Sequence, residues 1–415
     1  MPPPATDPAL PPLEQRYLLL TFIPYYVDAR GGVWLDRLWH HDFVEHLRYL
    51  SDVVLAAPSY PRREGPDDLV RLEAPDGVTL SFVPLPHLET TPQAVRNLPA
   101  LVTAVWRAAG DSAIVHSGVA GWPIPVGWVG NAVAMLRRRR LVIVVESAPW
   151  RPSTGDETAR QHVRALIYEA LARFFVRRAD VSFFTQPDYL ESLAGDRRAG
   201  CYVTPATWIR EEDILDEAAA ERGWEAKRAR PVRLLFAGRL VAEKGVEVLL
   251  AALERLEAQG TSARVDVIGA GPLEARCREA SRALSTVALR VQEPVPYGEP
   301  FFERLRAHHA VLVPNLGDEQ PRIVFDAYAQ AVPVIASDTD GLRPHVDDGE
   351  TGWRVRPGDV IALADAIGRA TDEPATLERM GRAARERAPR FTHRGMHESR
   401  WRVLVERFGR SATRP

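Results

Sequence analysis

The sequence predicts an α/β protein of two doubly wound, Rossmann-like domains facing each other across a cleft. Three observations carry this expectation. Short apolar runs alternate with helical patterns along most of the chain, the grammar of parallel sheets covered by helices. The 415-residue length suits two domains. A charged stretch, ATWIREEDILDEAAAERGWEAKRAR at 206–230, separates two halves of similar grammar. The expected division is a disordered tail at 1–15, a first domain at 16–205, a linker region at 206–230 and a second domain at 231–390. A final helix at 391–415 follows, with Trp401, Val403, Leu404 and Phe408 at helical spacing.

In the first half the expected strands are Tyr17–Ile23, Asp52–Ala57, Val78–Leu85, Ala113–Gly118, Leu141–Trp150, Val181–Thr185 and Tyr202–Thr204. Helical patterns run over about Trp34–Leu50, Pro92–Ala108 and Glu157–Arg178, and PYYVDARGGVWLD reads as a turn. In the second half the expected strands are Val232–Ala237, Arg264–Ile268, Ala288–Val291, Val311–Val313 and Val332–Ala336, with a late helix at about Val360–Thr371.

Composition narrows the function classes. Hydrophobic residues make up 46% and charged residues 26%, enough to build sizeable cores. A net charge of −2 carries no nucleic-acid footprint. Cys201 and Cys277 suit a reduced, cytoplasmic setting and offer no zinc spacing. The opening MPPPATDPALPPLEQR lacks the apolar core of a signal peptide. No apolar run is long enough to span a bilayer. The nearest, Trp122–Leu136, ends in Arg137–Arg140. It is either a foot resting on anionic lipid at the inner face of a membrane or a core helix with a solvated basic end.

Val232–Gly245, VRLLFAGRLVAEKG, is the richest stretch. An apolar strand breaks at Gly238, presents Arg239 and Lys244, and passes through Gly245 into an amphipathic helix. Orphan N–H groups at a helix start and two cations favour a phosphorylated ligand. If a diphosphate leaves during reaction, Arg239 and Lys244 stabilise its growing charge; losing one such donor costs about 3–4 kcal/mol of barrier. The plainer alternative is two solvated surface charges. VIGAGPLEA, 267–275, is a second strand–glycine–helix junction, where Gly269 lets the backbone approach a ligand. In the third feature, 313–341, Asp318 precedes a helix and Asp326 lies within it. Each can bind sugar or ribose hydroxyls. Equally, Asp318 can serve as a cap and Asp326 can pair with Arg322 across one helical turn.

Together these features resemble the carboxyl-terminal half of family 4 glycosyltransferases, which have the GT-B architecture. GRLVAEKG is similar to the family's Gly-Arg-Leu…Lys-Gly, VIGAGP to its next glycine turn, and AVPVIASDTDGLRPHVDDGETGWRVRPGD to the segment after its acidic motif. The resemblance covers roughly 231–372 and is only general in the first half. It implies a nucleoside diphosphate-sugar donor, transfer to an acceptor hydroxyl with retention of configuration, and neither metal nor other cofactor. The acceptor is a carbohydrate, a lipid-linked molecule or another small molecule.

The resemblance also distributes roles. The family's paired glutamates, seven residues apart, fall on Asp318 and Asp326, the first for the donor sugar and the second for ribose. Gln320 and Pro321 replace the family's Phe-Gly, and proline removes one N–H that would face the sugar. Glu319 can assume the first acidic role by a small register shift. Gly31 and Gly32 sit where the family has a glycine turn near the donor phosphates or the acceptor. Gly238 joins the donor side. His116 and Glu146 end strands on the expected cleft side. His116 is an acceptor-side candidate or a structural histidine, and Glu146 a carboxylate that binds a sugar hydroxyl or poises the acceptor hydroxyl. The aromatic cluster Tyr25, Tyr26, Trp34 and Trp39 either stacks on an acceptor or fills a core. His40, His41 and His46 read as surface or partly buried. A sugar phosphorylase and a non-catalytic nucleotide-sugar-binding subunit are the alternatives.

Overall fold

The computed structural model describes residues 11–62, 68–151, 158–228, 230–317 and 319–409. The chain divides into two compact units. The first is Met1–Arg151, Val163–Pro205 and Arg394–Pro415; the second is Pro152–His162 and Ala206–His393.

The first unit carries β1 (Tyr17–Leu20), β2 (Tyr25–Val27), β3 (Val33–Asp36), β4 (Asp52–Pro61), β5 (Leu69–Arg71), β6 (Thr79–Leu85), β7 (Ile114–Gly118), β8 (Arg140–Val145), β9 (Val181–Phe184) and β10 (Cys201–Val203). Their order is β10-β9-β8-β7-β1-β4-β2-β3-β5, with β6 also on β4. From β10 to β4 the pairing is parallel. Strand β4 forks: its first part pairs with β6 and its last three residues with β2. Helices α1 (Arg37–Leu47), α2 (Thr91–Asp111), α3 (Val126–Leu136) and α4 (Ala159–Val176) lie between strands in sequence.

Side chains alternate across this sheet, so it has two cores. Leu18, Leu20, Val115, Ile143 and Val145 pack with α2, α3 and α4 on one face. Tyr17, Leu19, Ile114, Val142 and Phe183 pack with α1 and with Leu404 and Phe408 of the helix His393–Phe408 on the other. The turn expected at PYYVDARGGVWLD is instead the β2–β3 antiparallel hairpin. Its tip is closed by Asp28, whose carboxylate accepts from the N–H groups of Arg30 and Gly32 at 2.9 and 2.8 Å and from Trp34 Nε1 at 2.8 Å. Trp34 therefore belongs to a strand, and α1 starts later, capped by Asp36.

The second unit carries β11 (Leu234–Ala237), β12 (Ala263–Ile268), β13 (Val287–Gln292), β14 (Ala310–Val313), β15 (Val334–Ser337) and β16 (Gly352–Val355). All pairs are parallel, in the order β13-β12-β11-β14-β15-β16. This is the doubly wound order, with its topological switch between β11 and β14. Leu234, Phe236, Val265 and Leu312 pack against the helices Val246–Gln259 and Val360–Asp372. Leu235, Val311, Val313 and Val334 pack against the helices Glu299–Arg306 and Ile323–Ala329.

The stretch 206–230, expected as a linker, carries the helix Glu217–Arg228, which buries Ala220, Trp224 and Lys227 within the second unit. Trp224 Nε1 donates to the Ala331 carbonyl at 2.9 Å. Of the expected tail, residues 1–10 lie outside the described residues. Leu13 is buried and bridges to Leu50, so order begins earlier than the sequence suggested.

In the apolar segment Trp122–Leu136, α3 packs against the core, while Trp122 and Leu136 at its ends are exposed. α3 buries Val126, Gly127, Gly130, Asn131, Val133 and Ala134. Arg137 lies over Trp106, and Arg140 pairs with Asp180 at 2.9 Å. Among the described residues no helix is long and apolar enough to cross a membrane.

α3 approaches β7 closely because Gly127 has no Cβ. A Cβ there would lie 2.0 Å from the Gly118 carbonyl oxygen. Gly127→Ala is therefore expected to destabilise the first unit by about 1–3 kcal/mol through overpacking. A urea titration followed by circular dichroism measures this; an unchanged midpoint would show that the helix simply shifts outward.

Candidate functional site

The carboxyl ends of β11 and β14 bring together most of the described candidates in the second unit. β11 ends at Ala237, and the chain turns through Gly238 and Arg239. A short 3₁₀ turn, Ala242–Lys244, leads into the helix Val246–Gln259. Gly245 sits at φ 71°, and a Cβ there would lie 1.8 Å from the Pro314 carbonyl oxygen. Leu316 N–H donates to the Glu243 carbonyl at 2.9 Å. The basic turn and the loop after β14 are thus held side by side. Gly269, after β12, approaches the Gly238 carbonyl so closely that a Cβ would lie 1.9 Å from it.

Arg239 is exposed, its carbonyl accepts from Val241 N–H at 3.0 Å, and its guanidinium makes no hydrogen bond or ion pair among the described residues. Lys244 is mostly buried, and its ammonium pairs with the Glu319 carboxylate. A cation, a cation–carboxylate pair and glycine-lined backbone therefore meet at the switch point, where doubly wound sheets bind ligands. Asp318 lies outside the described residues.

Asp326 is elsewhere in the chemistry. It is 5% exposed, and its Oδ1 accepts from Tyr297 Oη at 2.8 Å. Burial dominates and pushes its pKa up to about 7, although the Tyr297 hydrogen bond and the Arg322 charge oppose this. The sequence offered a ribose ligand or an exposed pair with Arg322; the structure places a buried acid under a tyrosine. Arg322 lies over the Trp208 ring, 4.8 Å from its centroid. Gln320 is structural as well. Its amide pairs with both backbone groups of Ala206, at 2.8 and 2.9 Å, as a strand neighbour would. No sequence signal pointed to Tyr297 or Ala206, because both contacts join distant segments.

The first unit has a cavity of ≈ 180 Å³ at the carboxyl ends of β1, β7 and β8. His116 and Glu146 both line it. His116 Nδ1 lies 2.9 Å from Tyr17 Oη. Burial, then the nearby His46 and Arg400, hold His116 well below the usual imidazole range, so it is neutral at pH 7. Glu146 is exposed directly after β8, and its carbonyl accepts from Thr185 Oγ1 at 3.1 Å. Asp42, His46 and Arg400 also line the cavity. Sequence reasoning missed them: His46 reads as one of three helix histidines but is buried. Gly31 and Gly32 form the β2–β3 turn closed by Asp28 and are not among the residues lining this cavity. Tyr25 is buried, and Trp34 is tied to Asp28 and covered by Arg62 at 3.4 Å. Trp39 is buried in a core cluster and also lines the cavity.

Comparison with known proteins sharpens this picture. Sucrose-phosphate synthase from Thermosynechococcus elongatus superposes with a TM-score of 0.67 at 18% identity, covering 96% of this chain and 100% of that one. Anabaena Alr3699/HepE, solved in complex with UDP, gives a TM-score of 0.64 at 14% identity, covering 94% of this chain and 100% of that one. The fold is GT-B. Residues 231–373 match the model of the family described as "Glycosyl transferases group 1". Among curated relatives, glycogen synthase from Mycobacterium tuberculosis is 33% identical over 172 residues, 41% of this chain and 41% of that one. D-inositol 3-phosphate glycosyltransferase from Nocardia farcinica is 31% identical over 235 residues, 54% of this chain and 52% of that one. The match thus spans about half or less of these relatives' lengths.

The buried carboxyl sets a pH signature. The Asp326 pKa is raised from 3.8 to about 7, so between those values the folded state holds more protons than the unfolded one. Stability from this group is full below about pH 4 and is lost as pH rises through 7. Asp326→Asn keeps an acceptor for Tyr297 and removes the ionisation. Its stability gain should be near zero at pH 4 and reach a few kcal/mol above pH 7, read from melting curves across pH. A variant that instead weakens nucleotide binding at unchanged stability would support the ribose role.

Proposed function

We propose that this chain is a glycosyltransferase that uses a nucleoside diphosphate-sugar, with the second unit taking the donor and the first the acceptor. The observation that carries the reading is the basic, glycine-lined turn after β11. It lies at the sheet's switch point within the segment that matches the glycosyltransferase family, and it sets Arg239 and Lys244 beside the loop after β14. The Anabaena protein's complexes with UDP and with UDP-glucose make a uridine diphosphate-sugar the first donor to test.

In the proposed reaction the acceptor oxygen bonds to the anomeric carbon as the bond from that carbon to the phosphate oxygen breaks. The acceptor proton passes to the leaving β-phosphate. Arg239 and Lys244 stabilise the charge that develops on the diphosphate, and Glu319 is the carboxylate from which Lys244 turns to meet it. On the acceptor side, Glu146 and the neutral His116 offer hydrogen bonds to sugar hydroxyls. Retention of configuration and independence from metal are part of the proposal. They rest on the family resemblance and on the two cations available for phosphate neutralisation. The proposed setting is the cytoplasm, which the unbridged Cys201 and Cys277 suit.

A non-catalytic nucleotide-sugar-binding role is the second reading. It is favoured by the occupation of Asp326 by Tyr297 and by Pro321, which has no N–H to offer a sugar.

A thermal-shift screen with nucleoside diphosphates and their sugars identifies the donor, since a ligand that binds only the folded state raises its melting temperature. With that donor, Lys244→Ala should lower kcat about 100- to 1,000-fold and leave the melting temperature of the unliganded protein near that of the wild type. Unchanged turnover would remove the phosphate role. Donor binding without turnover on any acceptor, and without donor hydrolysis, would favour the second reading. Full activity in excess chelator is the expected outcome for a metal-independent enzyme.

A further inference from the structure

A helix that covers a sheet ordinarily buries one apolar stripe and turns a polar face to water. α4 departs from that rule. Its inner side buries Tyr168, Ala172, Phe175 and Val176. Its outer side is apolar too: Val163 is 57% exposed, Leu166 71%, Ile167 52% and Phe174 41%. Positions 163, 166, 167 and 174 share one helical face, so these side chains form a continuous stripe.

Among the described residues of α4, the exposed charges have one sign. Arg164, Arg177 and Arg178 are exposed and pair with no carboxylate among the described residues. The helix has one acid, Glu169, which is half-buried and engaged by Arg151 at 3.0 Å and Arg173 at 3.2 Å. Two arginines lie along aromatic rings. Arg164 stands 5.0 Å from the centroid of Trp122, itself 62% exposed, and Arg178 stands 3.9 Å from that of Phe174. Tyr168 Oη donates to the Pro123 carbonyl at 3.1 Å and so ties the Trp122 loop to the helix.

We propose that the outer face of α4, with Trp122, docks on an anionic lipid bilayer. Apolar side chains flanked by guanidinium groups, with no exposed acid among the described residues of the helix, match a surface that is apolar below and negative at the headgroups. Arginine stems cover the apolar ridge while their heads reach phosphate. This surface differs from the α3 segment and the Arg137–Arg140 run: α3 packs one side against the core, and Arg137 and Arg140 are occupied by Trp106 and Asp180.

The placement has a consequence that rests on the proposed glycosyltransfer. A second cavity of ≈ 170 Å³ is lined by Trp122 and Ile124 and shares Phe22 and Val126 with the cavity that holds His116 and Glu146. It is a path by which an acceptor carrying an apolar chain reaches that cavity from the bilayer.

Vesicle co-sedimentation of the full chain tests the docking independently of catalysis. The wild type should sediment with phosphatidylglycerol–phosphatidylcholine vesicles and much less with phosphatidylcholine alone, and high salt should release it. Leu166→Glu/Ile167→Glu, at exposed positions, should keep its melting curve and lose at least ten-fold in partitioning. Arg164→Gln/Arg178→Gln should lose the preference for anionic lipid. Equal sedimentation with both lipids, or unchanged binding by the glutamate variant, would overturn the proposal. So would a lipid-free wild-type dimer that the glutamate variant dissociates, since the stripe would then be a subunit contact. Docking without transferase activity would leave the surface standing and remove only the acceptor path.

Discussion

The candidate donor site depends on the passage of Gly245 beside Pro314. A left-handed backbone at φ 71° and the absence of a Cβ let two loops touch where any other residue would collide with a carbonyl. That contact, with the Leu316-to-Glu243 hydrogen bond, fixes the turn after β11 against the loop after β14. The adjacency brings Lys244 to Glu319. Gly269 against Gly238 performs the same service between the loops after β12 and β11. The glycines thus act chiefly through backbone proximity, and the cations inherit their positions from it.

The loop after β14 is organised by demands of burial. Gln320 satisfies both backbone groups of Ala206, which would otherwise be buried without partners. Asp326 sits where a charged carboxylate is costly, and its pKa rises accordingly. The protonated acid hydrogen-bonded to tyrosine is a stable arrangement there.

The first unit places a different chemistry at its strand ends. Its cavity combines an exposed carboxylate, Glu146, with a histidine kept neutral by burial and by its neighbours His46 and Arg400. Neutral imidazole and carboxylate are suited to hydroxyl groups, whereas the second unit offers cations suited to phosphate. The two units differ in binding character even though their sheets share one grammar. α4 adds an outward surface for which the core of the unit has no use.

Alternating apolar runs determined most of the strands, because buried parallel strands need continuous apolar sequence whatever their partners. LLFA became β11, and RVDVI fell within β12, for that reason. Arg239, Lys244 and Gly269 were legible because strand ends, glycines and cations follow one another locally. The β2–β3 hairpin was not: its closure depends on Asp28 reaching Trp34, in a stretch whose glycines and aromatics also describe an open turn. The helix 217–228 was obscured by its charges, since its burial is decided by Trp224 meeting Ala331, 107 residues away. Asp326 shows the limit most plainly. Sequence set its place near a helix start, but its protonation depends on Tyr297 and on the core that closes over both. Local sequence determined where the polar groups fall along the chain. The tertiary structure decided which of them water can reach, because burial is a property of all the segments packed around a group.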